Sequence, residues 1–161
     1  MIARMPARPA PGETAPDFEL PGTEGTFRLA DHRGKVVVLL FYPGDNTPVC
    51  TRQFCSYRDH ADEVSDLDAV IVGISDQDLD SHAQFVDKHG LNVPLLADTG
   101  KAVAKLYGTQ SRVLGTKRSV VVIAPDGTVH ARHDHTLGLD YLGVDEIRAL
   151  LPTRPAPASG S

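Results

Sequence analysis

Cysteine is scarce in this chain, with two among 161 residues, and tryptophan is absent. A secreted scaffold stapled by disulfides needs more cysteines, spread along the sequence to join distant loops. Here both lie together, at positions 50 and 55, which points to redox chemistry or a metal. Long apolar stretches are missing as well. The longest, Val36 to Tyr42, is far too short to cross a bilayer. The N-terminal segment Met-Ile-Ala-Arg-Met-Pro-Ala-Arg-Pro carries basic residues but no apolar stretch of signal type, so a cytoplasmic location is expected. No basic block appears and the net charge is −5, which speaks against a nucleic-acid partner.

What the chain does have is ordinary globular composition, 41% hydrophobic and 23% charged, at a length that suits one domain. The Pro-, Ala-, Gly- and Ser-rich ends, 1–11 and 152–161, read as flexible tails around a single ordered body at 12–151. Phe18–Leu20 and Thr26–Leu29 resemble a short N-terminal hairpin. Lys35–Tyr42, Ala69–Ser75 and Ser119–Ala124 are continuous apolar runs, expected of strands covered on both faces. Pro94–Asp98 makes a further short strand, and Thr128–His133 an edge strand after the Pro125-Asp126-Gly127 turn. Helices are expected over Cys50–Asp66, Leu79–His89 with Gly90 as its cap, Lys101–Tyr107 and Tyr141–Leu151. Strands alternating with helices, then a terminal hairpin and helix, imply an α/β sandwich with a central mixed sheet. In such a sheet ligands bind beyond the carboxyl ends of the strands, and the first of those ends is the loop from Pro43 to Cys50.

That loop concentrates chemistry. Cys50 falls in the first turn of its helix, where unsatisfied N–H groups and the helix dipole favour an anion. The thiolate is the competent nucleophile, and such a position lowers a cysteine pKa below its free value of roughly 8.5. Pro48 has no N–H to leave unsatisfied and pre-sets the turn. Thr47 puts a hydroxyl, both donor and acceptor, beside the sulfur. Arg118, just before the Ser119 strand, is the candidate cation for charge developing on a departing oxygen. Gln53, one helical turn after Cys50, touches the site on this reading without an essential role.

The stretch Pro43-Gly44-Asp45-Asn46-Thr47-Pro48-Val49-Cys50 fits the peroxiredoxin pattern Pro-x-x-x-Thr-x-x-Cys. Cys55, followed by Tyr57-Arg58-Asp59, resembles the bacterioferritin comigratory protein (PrxQ) branch of that family. Val72-Gly73-Ile74-Ser75, Pro94-Leu95-Leu96-Ala97-Asp98, Tyr107-Gly108 and Arg118 before Ser119 extend the likeness across nearly the whole body. The resemblance implies a thioredoxin-like fold, hydrogen peroxide or organic hydroperoxides as substrates, and thioredoxin or a similar dithiol as reductant. It makes Cys50 the peroxidatic and Cys55 the resolving cysteine, with Pro43, Thr47 and Arg118 forming the pocket. No cofactor or metal is implied. Gly44, Asn46 and Tyr57 depart from common family residues.

On an intact helix, residues five apart lie about 140° apart around the axis and about 7.5 Å apart along it. Their Cα separation of roughly 9 Å exceeds the ~7 Å limit for a disulfide, so closing the bond must unwind the first turns. Resolution within one chain is the simplest reading and a monomer is favoured, although a swapped dimer pairing the two positions between chains stays open.

Two other functions compete for the same residues. A thiol–disulfide oxidoreductase acting on proteins normally uses Cys-x-x-Cys, a tighter spacing than this one. A metal- or partner-binding module would need more ligands than two cysteines and a distant histidine. His130, His133 and His135 alternate with charged residues, which suggests a solvated edge; Asp76, Asp78 and Asp80 suit a loop leading into a helix N-cap.

Overall fold

The computed structural model describes residues 9–44, 48–111, 115–116, 118–134 and 144–152. Five strands form the central sheet: β3 (Val36–Phe41), β4 (Ala69–Ser75), β5 (Leu95–Ala97), β8 (Ser119–Ile123) and β9 (Val129–Asp134), in the order β5-β4-β3-β8-β9. β4 runs parallel to both β3 and β5, while β8 is antiparallel to β3 and to β9. The sheet is therefore mixed, as the alternation of elements implied. Ahead of it, β1 (Glu19–Leu20) and β2 (Phe27–Arg28) pair as the antiparallel hairpin.

Alternation along β3 explains its unbroken apolar sequence. Val37, Leu39 and Phe41 point into one core layer, with Phe18, Phe27, Val72, Ile74, Val103 and Tyr107. Val38, Leu40 and Tyr42 point into the other, with Cys50, Phe54, Tyr57, Phe85, Val144 and Ile147. A strand buried on both faces has no polar side, so no period of two appears in its residues. The second layer receives α1 (Pro48–Asp59), α3 (Leu79–His89) and α5 (Val144–Leu150); α4 (Ala102–Leu106) and the hairpin cover the first. None of the described helices is long and apolar enough to cross a membrane.

Several expectations are refined. The helix expected over Cys50–Asp66 is two, α1 and α2 (Ala61–Asp66), parted at His60 with φ −112° and ψ 37°. The imidazole supplies a local reason: the Ser56 carbonyl meets both the His60 backbone N–H at 3.0 Å and His60 Nδ1 at 2.8 Å. A side chain that competes for a helix carbonyl favours a break. A small pair, β6 (Gln110–Ser111) with β7 (Gly115–Thr116), was not legible, since two-residue strands carry no periodicity. Of the expected tails only 9–11 and 152 are described. There Gly12 N–H donates to Val129 O and Arg132 Nη1 to Pro9 O, so the segment lies along β9. Tyr141 and its neighbours to 143 lie outside the described residues, as does His135. Asp78 caps α3 by accepting from Ser81 N–H at 2.9 Å, and Gly90 closes it in the left-handed region at φ 61°.

Helix α1 lies close on the sheet because Gly73 leaves room. A Cβ there would sit 2.8 Å from Leu95 Cδ2 and 2.9 Å from Phe54 Cζ. Gly73→Ala is expected to displace the Phe54 ring and cost about 1–3 kcal/mol, the usual range for overpacking, read as a lower urea midpoint. An unchanged midpoint would show that the helix has slack against β4.

Candidate active site

The register of the central sheet assembles the site. Phe41 on β3 faces Ser119 on β8, and the strands are antiparallel. Arg118, the residue before β8, is thereby brought beside the carboxyl end of β3, from which the chain leads into α1. Ser119 is itself fixed: its Oγ donates to Asp134 Oδ1 at 2.8 Å, and Arg132 holds the same carboxylate with two bonds of 3.0 and 2.9 Å. The backbone that carries Arg118 is thus tied across to β9.

Arg118 is not a surface charge but 1% exposed. Its Nη2 donates to Cys50 Sγ at 3.1 Å, and its Nη1 to Gln53 Oε1 at 2.5 Å. Gln53 in turn donates from Nε2 to the Tyr57 hydroxyl at 3.0 Å. Four buried side chains, Cys50, Gln53, Tyr57 and Arg118, form one hydrogen-bonded chain ending on a sulfur. A buried guanidinium is costly unless its donors are used, and a fork can serve two acceptors at once. Cys50 is the third residue of α1, within the turn whose N–H groups have no helical partner.

Cys50, Gln53, Phe54 and Tyr57 are spaced i, i+3, i+4, i+7 and are all buried, which defines the inward face of α1. Cys55 is a free thiol outside that stripe and only half-buried. Pro43 follows Tyr42 at the end of β3 and is half-buried. Tyr42 is anchored from below: His82 Nε2–H donates to Leu96 O at 3.0 Å, and His82 Nδ1 meets the Tyr42 hydroxyl at 3.3 Å. Gly44 is buried against the Gln77 side chain, whose Oε1 would be 3.3 Å from a Cβ at that position. Thr47 lies outside the described residues, as do Asp45 and Asn46.

The structure therefore joins Cys50 to Arg118 directly and sets Cys55 on the same helix. Gln53 has a larger part than its residue type suggested, and Tyr57 was missed as a polar contact. A signal existed for both. An amide on the buried stripe of an amphipathic helix needs a partner, and i+4 along that stripe is a tyrosine. No cluster of three or more metal-ligating side chains occurs among the described residues.

Residues 11–132 match the model of the AhpC/TSA family. Peroxiredoxin Bcp of Bacillus subtilis is 38% identical over 124 residues, covering 72% of this chain and 79% of that protein. Among solved structures, peroxidoxin BcpB from Mycobacterium tuberculosis superposes with a TM-score of 0.78 at 34% identity, covering 89% of this chain and 96% of that one. The bacterioferritin comigratory protein of Xanthomonas campestris, described with its alkyl peroxide reduction activity, gives 0.73 at 26% identity, over 82% of this chain and 88% of that one. The chain belongs to the AhpC/TSA family. Within it the protein is similar to the bacterioferritin comigratory protein and PrxQ peroxiredoxins, has their thioredoxin-like fold, and is a thiol peroxidase.

The difference in burial between the two thiols is open to test. With a bulky maleimide, the native reduced protein is expected to label at Cys55 ahead of Cys50, and the order to vanish in urea. Peptide mapping that finds Cys50 labelled first would contradict the enclosed setting of its sulfur.

Proposed function

We propose that Cys50 is the sulfur that attacks peroxide and that Cys55 resolves the product within the same chain. The observation that carries this reading is the 3.1 Å contact of Arg118 Nη2 with Cys50 Sγ inside a buried network. In the first step a sulfur electron pair forms an S–O bond and the O–O bond breaks. The second oxygen leaves with its electron pair and, once protonated, is water or an alcohol. Negative charge moves from sulfur to that oxygen, and a guanidinium already on the sulfur is positioned to follow it. An interaction that strengthens along this path speeds the reaction rather than merely tightening binding. Pro43 and Thr47, in the loop between β3 and α1, complete the substrate pocket on this proposal.

The Cys50 sulfenic acid is then attacked by the Cys55 sulfur; the S–O bond breaks, water leaves and a disulfide forms. An external dithiol, thioredoxin or one like it, returns both thiols by exchange, a step suited to the reducing cytoplasm. Hydrogen peroxide and organic hydroperoxides are the proposed substrates, and a monomer the proposed working unit. Exchange on protein disulfides is the weaker reading. Cys50 is enclosed and the five-residue spacing keeps the sulfurs apart while α1 is wound.

Peroxide consumption with a thioredoxin system tests the assignment. Cys50→Ser is expected to be inactive. Cys55→Ser should form one equivalent of sulfenic acid and then stop. Full activity of Cys50→Ser would end the proposal. Hydrogen exchange over residues 48–58 should be faster in the oxidised than in the reduced protein; equal protection would refute the unwinding of α1.

A further inference from the structure

We infer that Tyr57 is a positioning residue with two opposed effects: its hydroxyl holds Gln53 so that Arg118 stays on Cys50, and by the same bond it delays disulfide closure. The inference rests on the roles proposed for Cys50 and Cys55. It comes from where the network begins and ends along α1.

Three of the four members, Cys50, Gln53 and Tyr57, are on one helix; Arg118 reaches in from the strand edge. Among the described residues the arginine fork donates to Sγ and to Gln53 Oε1, so the direction of the guanidinium plane depends in part on where that amide oxygen sits. The amide oxygen is set in turn by its own nitrogen, which donates to the Tyr57 hydroxyl at 3.0 Å. Tyr57 is a firm support. Its ring stands edge-on to Phe54 at 5.7 Å, and its carbonyl accepts from Asn92 Nδ2 at 3.3 Å. One residue further, Arg58 Nη1 donates to His89 O at 2.6 Å, at the end of α3. Residues 57 and 58 are therefore where α1 is bonded to the α3–β5 side of the molecule.

Gln53, by contrast, lies between the two cysteines. Bringing Cys50 and Cys55 within disulfide range unwinds the segment that contains it. Both the Arg118–Gln53 and the Gln53–Tyr57 bonds must then break. The contacts that aim the guanidinium at the sulfur are the ones that keep the resolving thiol away. Two fates compete for the sulfenic acid. Attack by Cys55 gives the disulfide and water, while a second peroxide oxidises the sulfur to sulfinic acid and is itself reduced to water or alcohol. A firmer network favours peroxide attack in both oxidations and slows closure.

Tyr57→Phe removes one oxygen and keeps the ring. Three quantities are read: the single-turnover rate with hydrogen peroxide, the rate of Cys50 alkylation by iodoacetamide in a Cys55→Ser background, and the first-order rate of disulfide closure by acid quench and intact mass. The expected result is a fall of about ten-fold in peroxide attack, equivalent to about 1.4 kcal/mol. The ratio of peroxide attack to alkylation should fall with it, and closure should become several-fold faster. A merely loosened helix would speed closure but leave that ratio in place or raise both reactions. Gln53→Met cuts the same link from the other side and must reproduce both shifts, including where Tyr57→Phe does not fold. An unchanged ratio, or closure no faster than wild type, overturns the inference. A wild-type protein whose Cys50 does not react with peroxide would instead overturn the assignment of the cysteines, so the two failures are distinguishable.

Discussion

One buried guanidinium organises this molecule. Arg118 carries its guanidinium into a place with almost no water, a position that is costly unless its donors find partners. Two of its nitrogens find them in a sulfur and an amide presented by successive turns of α1, while Nε has no hydrogen-bond partner among the described residues. The consequence runs outward in both directions. On the strand side, Ser119, Asp134 and Arg132 fix the backbone from which the arginine extends. On the helix side, the buried stripe from Cys50 to Tyr57 must sit close enough to be reached. Gly73 permits that by leaving space for the Phe54 ring, which a Cβ at that position would meet at 2.9 Å.

The same arrangement sets a tension between order and movement. On the roles proposed for Cys50 and Cys55, a charge preorganised beside the attacking sulfur saves reorganisation in the transition state, and that argues for a rigid α1. A disulfide between residues five apart on a helix requires α1 to come apart at its first turns. The far end of α1 is bonded to the α3–β5 side through Tyr57 and Arg58, and it breaks again at His60. Between Cys50 and Tyr57 its inward face carries the bonds of Arg118 to Cys50 and Gln53 and of Gln53 to Tyr57.

Much of this was legible in the residues. The three apolar runs were readable as doubly covered strands because they are short and rich in β-branched residues, which favours a buried strand over a buried helix. Placing Cys50 at a helix start followed from Pro48 and the loop before it. Arg118 was identified by its place before a strand, but its depth was not. Burial of an arginine depends on the antiparallel register of β8 with β3, which no local pattern encodes. The Gln53–Tyr57 link escaped for a related reason. Each residue alone suits a solvated helix face, and only their common stripe with Cys50 and Phe54 shows that the face is inward. The break at His60 turned on one imidazole competing for a carbonyl, below the reach of propensity.

The proposed action of the arginine fork on the Cys50 sulfur is tested most directly by one comparison. Reduced wild type and Arg118→Lys are mixed with hydrogen peroxide in single-turnover experiments. Lysine keeps a positive charge but replaces the planar fork with a single ammonium, so Cys50 and Gln53 no longer share one rigid donor. Loss of about 10²-fold in the rate of Cys50 oxidation, with the fold retained by circular dichroism, is the predicted result. Equal rates for the two proteins would contradict it.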